Sequence, residues 1–126
     1  MPVVTIRALP QSDMVVERVL TAVTSGIATA LDEDSSGTWA TWEEIGARRY
    51  AEGDDLADGQ PHDTHPPLVR ITAFEGRSDE QIAAMLDAAA AAIAEQLGIE
   101  PGNVFAVYEE ARSGRISTGG RIVRRS

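Results

Sequence analysis

The chain has 126 residues, which suits one compact domain or two fused half-units with a core of their own. Its formal net charge of -9 argues against a nucleic-acid or anionic-membrane surface, because both of those partners are themselves negatively charged. The absence of cysteine excludes a disulfide framework, a thiolate nucleophile and a cysteine metal site. All 11 basic residues are arginine, so no lysine can form a Schiff base or act as a general base.

Composition also bears on where the protein resides. Hydrophobic residues make up 43% of the chain and charged residues 25%, as is typical of a soluble globular protein. The N-terminus has no basic region leading into an apolar stretch, and no apolar run reaches membrane-spanning length. We therefore expect a cytoplasmic protein with no membrane partner and no nucleic-acid partner.

The first predicted unit, residues 2–50, has the order strand, helix, strand. Residues 2–9 are short and rich in valine and isoleucine, as interior strands tend to be. Residues 12–31 have apolar side chains at helical spacing, which predicts a helix with one buried stripe. The residues of this stripe are Val16, Val19, Leu20, Val23, Ile27 and Leu31. A second strand is predicted over residues 39–44.

Residues 51–66 separate the two units and are rich in aspartate, glycine and proline, which predicts a solvated acidic linker. His62 and His65 lie close enough in sequence to suggest a metal site. No convincing third ligand accompanies them, so we interpret the segment as an ordinary loop and predict no metal site.

The second predicted unit, residues 67–126, repeats the same order and adds a tail. Ser78 followed by Gln81 predicts a capping box at the start of its helix, and Gly98 stands just past the last apolar position. The predicted buried stripe consists of Ile82, Met85, Leu86, Ala89, Ile93 and Leu97. After the second strand, residues 115–123 resemble a short hairpin around two consecutive glycines, which could cover a sheet edge or pair with a neighbouring subunit.

The two units are internal repeats. Residues 2–9 align with residues 67–74, and residues 39–44 align with residues 105–110. A strand, a helix and a second strand imply a right-handed crossover with parallel strand pairing. We therefore predict an α/β (α+β) fold in which two β-α-β repeats form one four-stranded sheet with both helices on one face.

The repeats differ where chemistry would take place. Removal of Met1 would leave Pro2 with a free secondary amine, whereas the nitrogen of Pro67 is an amide and cannot act as a base. The second unit has Arg77 after its first strand, and the matching residues 10–12 contain no arginine. Pro2 together with Arg77 therefore makes the complete candidate site.

These residues resemble the tautomerase superfamily, whose members are built from β-α-β units and use an amino-terminal proline. The resemblance covers both units, and the second unit is especially similar to 4-oxalocrotonate tautomerase. The matching positions are Pro67, Glu75-Gly76-Arg77-Ser78-Asp79-Glu80-Gln81, Glu110 and Gly119-Gly120. The proline by itself is a weak motif, but the proline, the Gly-Arg-Ser run and the repeat together are fairly specific.

The resemblance implies a keto–enol tautomerase or isomerase in which Pro2 is the general base and Arg77 binds the carboxylate of a small α-keto or enol substrate. An apolar pocket beside an arginine would lower the pKa of a proline amine, and the arginine fork suits a planar carboxylate. The expected substrate-binding residues are Arg77, Arg70, Trp39, Phe105, Phe74 and Ile116. The resemblance implies no metal and no organic cofactor, and it implies a homotrimer.

The chain departs from the family pattern at several positions. The second arginine of the family falls at Phe105 in the second unit and at about Trp39 in the first, and neither side chain can stabilise an enolate by charge. The aromatic residue that lines the pocket of 4-oxalocrotonate tautomerase falls at Ile116 and at roughly Tyr50. These departures favour a less polar substrate.

Two alternatives remain open on the sequence. The first is a dehalogenase, decarboxylase or other lyase of the same fold, in which a protonated Pro2 acts as an acid. A Pro2 pKa above about 9, near that of an unperturbed secondary amine, would favour this alternative. The second is a non-catalytic binding or assembly module that keeps the fold without the activity, which the missing second arginine would permit.

Overall fold

The computed structural model describes residues 1–125, and its elements follow the predicted order. The first unit comprises strand β1 (Val3–Ala8), helix α1 (Asp13–Leu31) and strand β2 (Trp39–Glu44). The connecting segment contains strands β3 (Ala51–Glu52) and β4 (Asp55–Leu56). The second unit comprises strand β5 (Leu68–Phe74), helix α2 (Asp79–Leu97) and strand β6 (Phe105–Ala111). The tail contains strands β7 (Ile116–Thr118) and β8 (Arg121–Val123).

The main sheet has the strand order β2-β1-β5-β6. Each unit contributes a parallel pair, β1 with β2 and β5 with β6, and the two units join through an antiparallel pairing of β1 with β5. Alternate residues of β1 and β5 are buried beneath the two helices, which cover one face of the sheet. The predicted fold is therefore confirmed.

The core lies between the two helices and the covered face of the sheet, and both predicted apolar stripes contribute to it. Its buried residues are Val4, Ile6, Val19, Val23, Ile27, Leu31, Val69, Ile71, Met85, Ala89 and Ile93. Within residues 1–125, α1 is long and apolar enough to cross a membrane by length and composition alone, which the sequence analysis did not expect. Here its apolar stripe packs against the sheet, as the stripe of an amphipathic core helix does.

Local hydrogen bonds fix where the two long helices begin and end. The Ser12 hydroxyl accepts from the Val15 amide at 3.3 Å, and Ser78 with Gln81 forms the predicted capping box. Gly98 ends α2 in the left-handed conformation at φ 66, as predicted. Asp32 ends α1 in the same conformation at φ 54 without the freedom that glycine has there.

Most of the connecting segment is exposed, as a solvated linker would be, but it also contains paired strands and two buried residues, Ala57 and His65, which the sequence analysis did not predict. β3 pairs antiparallel with β4, and His65 is completely buried. The Asn103 amide group donates to the backbone carbonyl oxygens of His62 at 3.3 Å and Thr64 at 2.9 Å. These bonds fasten the segment to the start of β6, because a buried backbone carbonyl needs a donor once it leaves water.

The tail is tied back to the end of β5 through Glu75. One carboxylate oxygen of Glu75 accepts from the Ser113 amide at 2.7 Å, and the other accepts from the Arg125 guanidinium at 2.9 Å. Between these two contacts, β7 and β8 pair antiparallel around the two glycines. The hairpin therefore lies beside the end of the sheet where β5 and β6 finish.

Candidate active site

The antiparallel pairing of β1 with β5 decides which residues share an end of the sheet. Val3, at the start of β1, is opposite Thr72, near the end of β5. The residue before β1 and the loop after β5 therefore lie at the same end. Those two places hold Pro2 and Arg77, so the fold puts the predicted base and the predicted carboxylate-binding residue at one end of the sheet, although they belong to different repeats.

Pro2 is fully buried, and its carbonyl oxygen accepts from the Trp39 amide at 3.0 Å. The nitrogen of Pro2 is bonded to Met1 in this chain, so it is an amide and the terminal amine belongs to Met1. Met1 is exposed, and its removal would free the proline nitrogen from its amide bond. The proline becomes a secondary amine only after that removal.

Arg77 forms a two-pronged ion pair with Glu33, a residue that the sequence analysis did not single out. The two nitrogens at the tip of the guanidinium donate to the two carboxylate oxygens, at 2.8 Å and 3.3 Å. The Arg77 side chain is 19% exposed and the Glu33 side chain 40% exposed. The guanidinium therefore lies mostly inside the protein, while the carboxylate reaches it from the solvent side.

Burial and two charges act on the terminal amine at this end of the sheet. Burial lowers the pKa of the Met1 ammonium from its usual value, and the Arg77 guanidinium lowers it further. The Glu33 carboxylate acts in the opposite direction. The same ion pair also affects Glu33, because the hydrogen bond from Arg77 lowers the pKa of the Glu33 carboxyl. The local field therefore favours a neutral amine beside an ionised Arg77–Glu33 pair.

Tyr108 presents a buried hydroxyl near the same charges. Its side chain lies on the helix-covered side of β6, and its hydroxyl has no hydrogen-bond partner among residues 1–125. Burial raises the pKa of this hydroxyl, the Glu110 carboxylate adds to the rise and the Arg77 guanidinium opposes it. No pattern in the sequence indicates that the Tyr108 oxygen is left without a hydrogen-bond partner in this part of the chain.

The other predicted substrate-binding residues are distributed over the chain. Trp39 pairs with Val3 at the Pro2 end and is 48% exposed, and Phe74 is the last residue of β5 at that end. Phe105 lies at the opposite end, where its amide donates to the Pro67 carbonyl at 3.0 Å.

Arg70 and Ile116 complete the placement of the predicted residues. Arg70 pairs with Glu109 at 3.3 Å, and its side chain is 62% exposed. Ile116 lies in the tail hairpin, where it pairs with Val123. Within one chain, the structure therefore places Trp39 and Phe74 at the same end as Pro2, and it places Phe105 at the other end.

A concavity of about 600 Å³ lies on the uncovered face of the sheet, away from the Pro2 end. The residues that line it are Thr5, Arg7, Glu43, Leu68, Val69, Arg70, Phe105 and Val107. Arg7 pairs with Glu43 at 3.6 Å, and Arg70 pairs with Glu109, so its charges are matched. The lining of this concavity contains neither a basic amine nor an activated nucleophile, so the Pro2 end remains the candidate active site.

Metal ligation finds no support within residues 1–125, where no three histidine or acidic side chains are grouped to hold an ion. The exposed His62 ring is 3.7 Å from Glu100. Both ring nitrogens of His65 make hydrogen bonds inside the protein, which leaves neither of them free to bind a metal.

Pro2, which precedes the first strand, and Arg77 share one end of the sheet. Together with the two β-α-β repeats, they define a fused, two-repeat protein whose candidate site combines both repeats. The model of the family described as "Tautomerase enzyme" matches residues 67–125. The chain is 34% identical over 57 residues to the probable tautomerase BH3814 of Halalkalibacterium halodurans, an alignment that covers 45% of this chain and 93% of that protein. The chain therefore belongs to the tautomerase family.

Solved structures resemble the whole chain, including the first unit. Pt0534 inactivated by 2-oxo-3-pentynoate superposes with a TM-score of 0.83 at 18% identity, covering 96% of this chain and 94% of that one. The symmetric trimer of wild-type Q0 fused 4-OT superposes with a TM-score of 0.82 at 15% identity, again covering 96% and 94%. At these identities the likeness shows the fold, and it extends that fold across both repeats.

Proposed function

We propose that the protein is a keto–enol tautomerase or isomerase acting on a small α-keto or enol carboxylate, with Pro2 as the general base after Met1 is removed. The observation that carries this proposal is the pairing of β1 with β5, which brings Pro2 and Arg77 to one end of the sheet, where burial and Arg77 both lower the pKa of the Met1 amine that precedes Pro2. A free amine with a lowered pKa is the form that removes a proton at neutral pH. A lowered amine pKa favours the base mechanism over the alternative in which a protonated Pro2 acts as an acid.

The reaction moves one proton between a carbon and an oxygen of the substrate. In the keto-to-enol direction the Pro2 nitrogen takes a proton from the carbon next to the ketone, the C–H electron pair becomes the C=C bond, and the C=O π pair moves onto oxygen. The Pro2 ammonium then gives that proton to the oxygen, which becomes the enol hydroxyl, and Pro2 is again a free base. In the reverse direction Pro2 takes the proton from the enol hydroxyl and returns it to carbon. Arg77 would hold the substrate carboxylate, and neither step requires a metal or an organic cofactor.

The compound that inactivates one structural relative supports the proposed substrate class. Pt0534 is inactivated by 2-oxo-3-pentynoate, a small carboxylate with a ketone next to the carboxyl group. Phenylpyruvate and 2-hydroxymuconate share the same arrangement of a carboxylate beside a ketone or an enol. They are therefore the first substrates to assay.

The state of the N-terminus tests the proposal directly. We expect the chain purified from its native cell to lack Met1 by intact mass, and to convert phenylpyruvate or 2-hydroxymuconate. A chain that carries an extra residue before Pro2 should have no measurable turnover, because its proline nitrogen is an amide without a basic lone pair. In the active chain, kcat/KM should rise with pH through the pKa of the Pro2 amine, since the free base is the reactive form, and we expect that pKa to lie below its usual value because Arg77 is at the same end of the sheet. Equal turnover by the extended chain would overturn the proposal.

We also propose that the chain assembles as a homotrimer. Trp39 and Phe105 are 48% and 55% exposed, which is unusual for large aromatic side chains in a single subunit. β2 and β6 are the edges of the main sheet, and such edges invite pairing with another chain. A structural relative, Q0 fused 4-OT, is a symmetric trimer. Sedimentation equilibrium should give the mass of three chains, and a stable monomer at micromolar concentration would contradict the assembly.

A further inference from the structure

Glu33 already occupies the part of Arg77 that would bind a substrate carboxylate. Its two oxygens accept from the two nitrogens at the tip of the guanidinium, which is the arrangement that a ligand carboxylate would adopt. The two residues are 44 positions apart in sequence and come from different repeats. A ligand that is to use the same face of Arg77 must therefore replace an internal carboxylate.

The end of α1 gives no structural reason for an acidic residue at this position. Asp32 caps the helix and Glu33 follows it, while the last turn contains no basic residue. The carboxyl end of a helix has partial negative charge, so a carboxylate there is unfavourable unless another group compensates it. Arg77 provides that compensation from the other repeat.

The second repeat has an apolar residue at the corresponding place. The Glu33 amide donates to the Ala28 carbonyl at 2.9 Å, and the Ile99 amide donates to the Ala94 carbonyl at 3.1 Å. These are the same bond in the two repeats, so Ile99 is the counterpart of Glu33. Ile99 is buried and apolar. A carboxylate therefore occurs at the end of the sheet that has the terminal proline, and an apolar side chain occurs at the end where the proline nitrogen is always an amide.

The pair is open to solvent on the Glu33 side. Glu33 is 40% exposed, so water weakens the attraction between its carboxylate and Arg77. Because Glu33 lies on the solvent side, its carboxylate can leave Arg77 and be hydrated without disturbing the core. Arg77 is 19% exposed and would stay in place to receive the ligand.

We propose that Glu33 is a specificity-determining residue that occupies Arg77 until a ligand carboxylate displaces it. The inference rests on the proposed role of Arg77 in binding the substrate carboxylate. A simple carboxylate exchanges one ion pair for another and gains little. An α-keto or enol carboxylate makes further contacts beside Pro2, so it can displace Glu33 with a net gain. Glu33 thus selects such substrates over the simple carboxylates of the cell.

Benzoate tests this selection, because it has a carboxylate but no enolisable carbon. The measurement is the Kd of benzoate by calorimetry on chains that begin at Pro2, as verified by intact mass. Glu33→Gln removes the charge, and Glu33→Ile introduces the residue of the second repeat. We expect both variants to bind benzoate about two- to fivefold more tightly than the unmodified chain, the gain that corresponds to a partly exposed ion pair. Adding Arg77→Ala to either variant should remove the gain.

Two controls make the result specific. Benzamide, which has the shape of benzoate without its charge, should bind all these chains equally. Glu43→Gln frees Arg7 on the uncovered face of the sheet, where an exposed arginine should give no gain in benzoate affinity. Unchanged or weaker benzoate binding in the Glu33 variants would overturn the inference, as would an absence of binding in all chains. A failure of the proposed function would show instead as turnover without a free Pro2 amine, a result independent of these affinities.

Discussion

Pro2→Ala should lower kcat/KM for tautomerisation by about 10²- to 10⁴-fold, the usual contribution of a positioned general base. The proline ring holds its nitrogen at a fixed place before β1, and the Pro2 carbonyl oxygen accepts a hydrogen bond from the Trp39 amide. Alanine leaves a primary amine that rotates freely, so its lone pair no longer points steadily at the substrate carbon. Steady-state kinetics with phenylpyruvate or 2-hydroxymuconate would measure the loss, and circular dichroism would verify that the fold remains.

The second repeat supplies a matched control for this substitution. Pro67 is also fully buried, and its carbonyl accepts from the Phe105 amide at 3.0 Å, just as the Pro2 carbonyl accepts from Trp39. Pro67→Ala therefore makes the same structural change without touching an amine, and turnover should be unchanged. An equal loss in both variants would assign Pro2 a structural role, and undiminished turnover of Pro2→Ala would reject the base mechanism.

The repeat made most of the fold predictable from the sequence. Helix periodicity, the Ser78 cap and Gly98 are local signals, and α1 and α2 end where these signals indicate. The way in which the two units join is not local. Nothing within either repeat specifies that β1 pairs antiparallel with β5, yet that pairing brings the Pro2 end of one unit to the Arg77 end of the other.

The parts of the candidate site that the sequence analysis missed are contacts between distant residues. Glu33 looks like one more acidic residue after a helix until the fold brings it to Arg77. The comparison of Glu33 with Ile99 was available in the two repeats, but its meaning depends on knowing that Arg77 lies opposite. The sequence of β6 likewise does not single out Tyr108, and only the packed structure shows that its hydroxyl is buried without a partner among residues 1–125.

The connecting segment was interpreted as solvated because aspartate, glycine and proline are common in exposed loops. Composition could not reveal that one of its two histidines is buried. The His65 ring is held on both sides, with Nδ1 3.0 Å from the Thr64 hydroxyl and Nε2 2.8 Å from the Asp55 carbonyl. It also meets the Tyr50 ring edge-on at a centroid distance of 5.1 Å. This small polar cluster orders a segment that joins the two units.

His65→Ala should therefore destabilise the protein by about 2–4 kcal/mol, a range set by the lost packing of a buried side chain and by two polar groups left unpaired. The Asp55 carbonyl and the Thr64 hydroxyl would lose their partners inside the protein. The backbone at His65 has φ 47, a left-handed conformation that alanine adopts less readily, and this adds to the loss. Urea unfolding followed by circular dichroism would give the difference from the shift of the midpoint at constant slope.

The other histidine of the chain is the control for this substitution. His62 is only three residues away but has an exposed ring, 3.7 Å from an exposed Glu100 carboxylate. His62→Ala should change the free energy of unfolding by no more than about 0.5 kcal/mol, as surface substitutions usually do. If the two variants unfold at the same urea concentration, the buried cluster does not stabilise the fold. If only His65→Ala lowers the urea midpoint, the segment between the repeats is part of the cooperative structure that brings Pro2 and Arg77 to one end of the sheet.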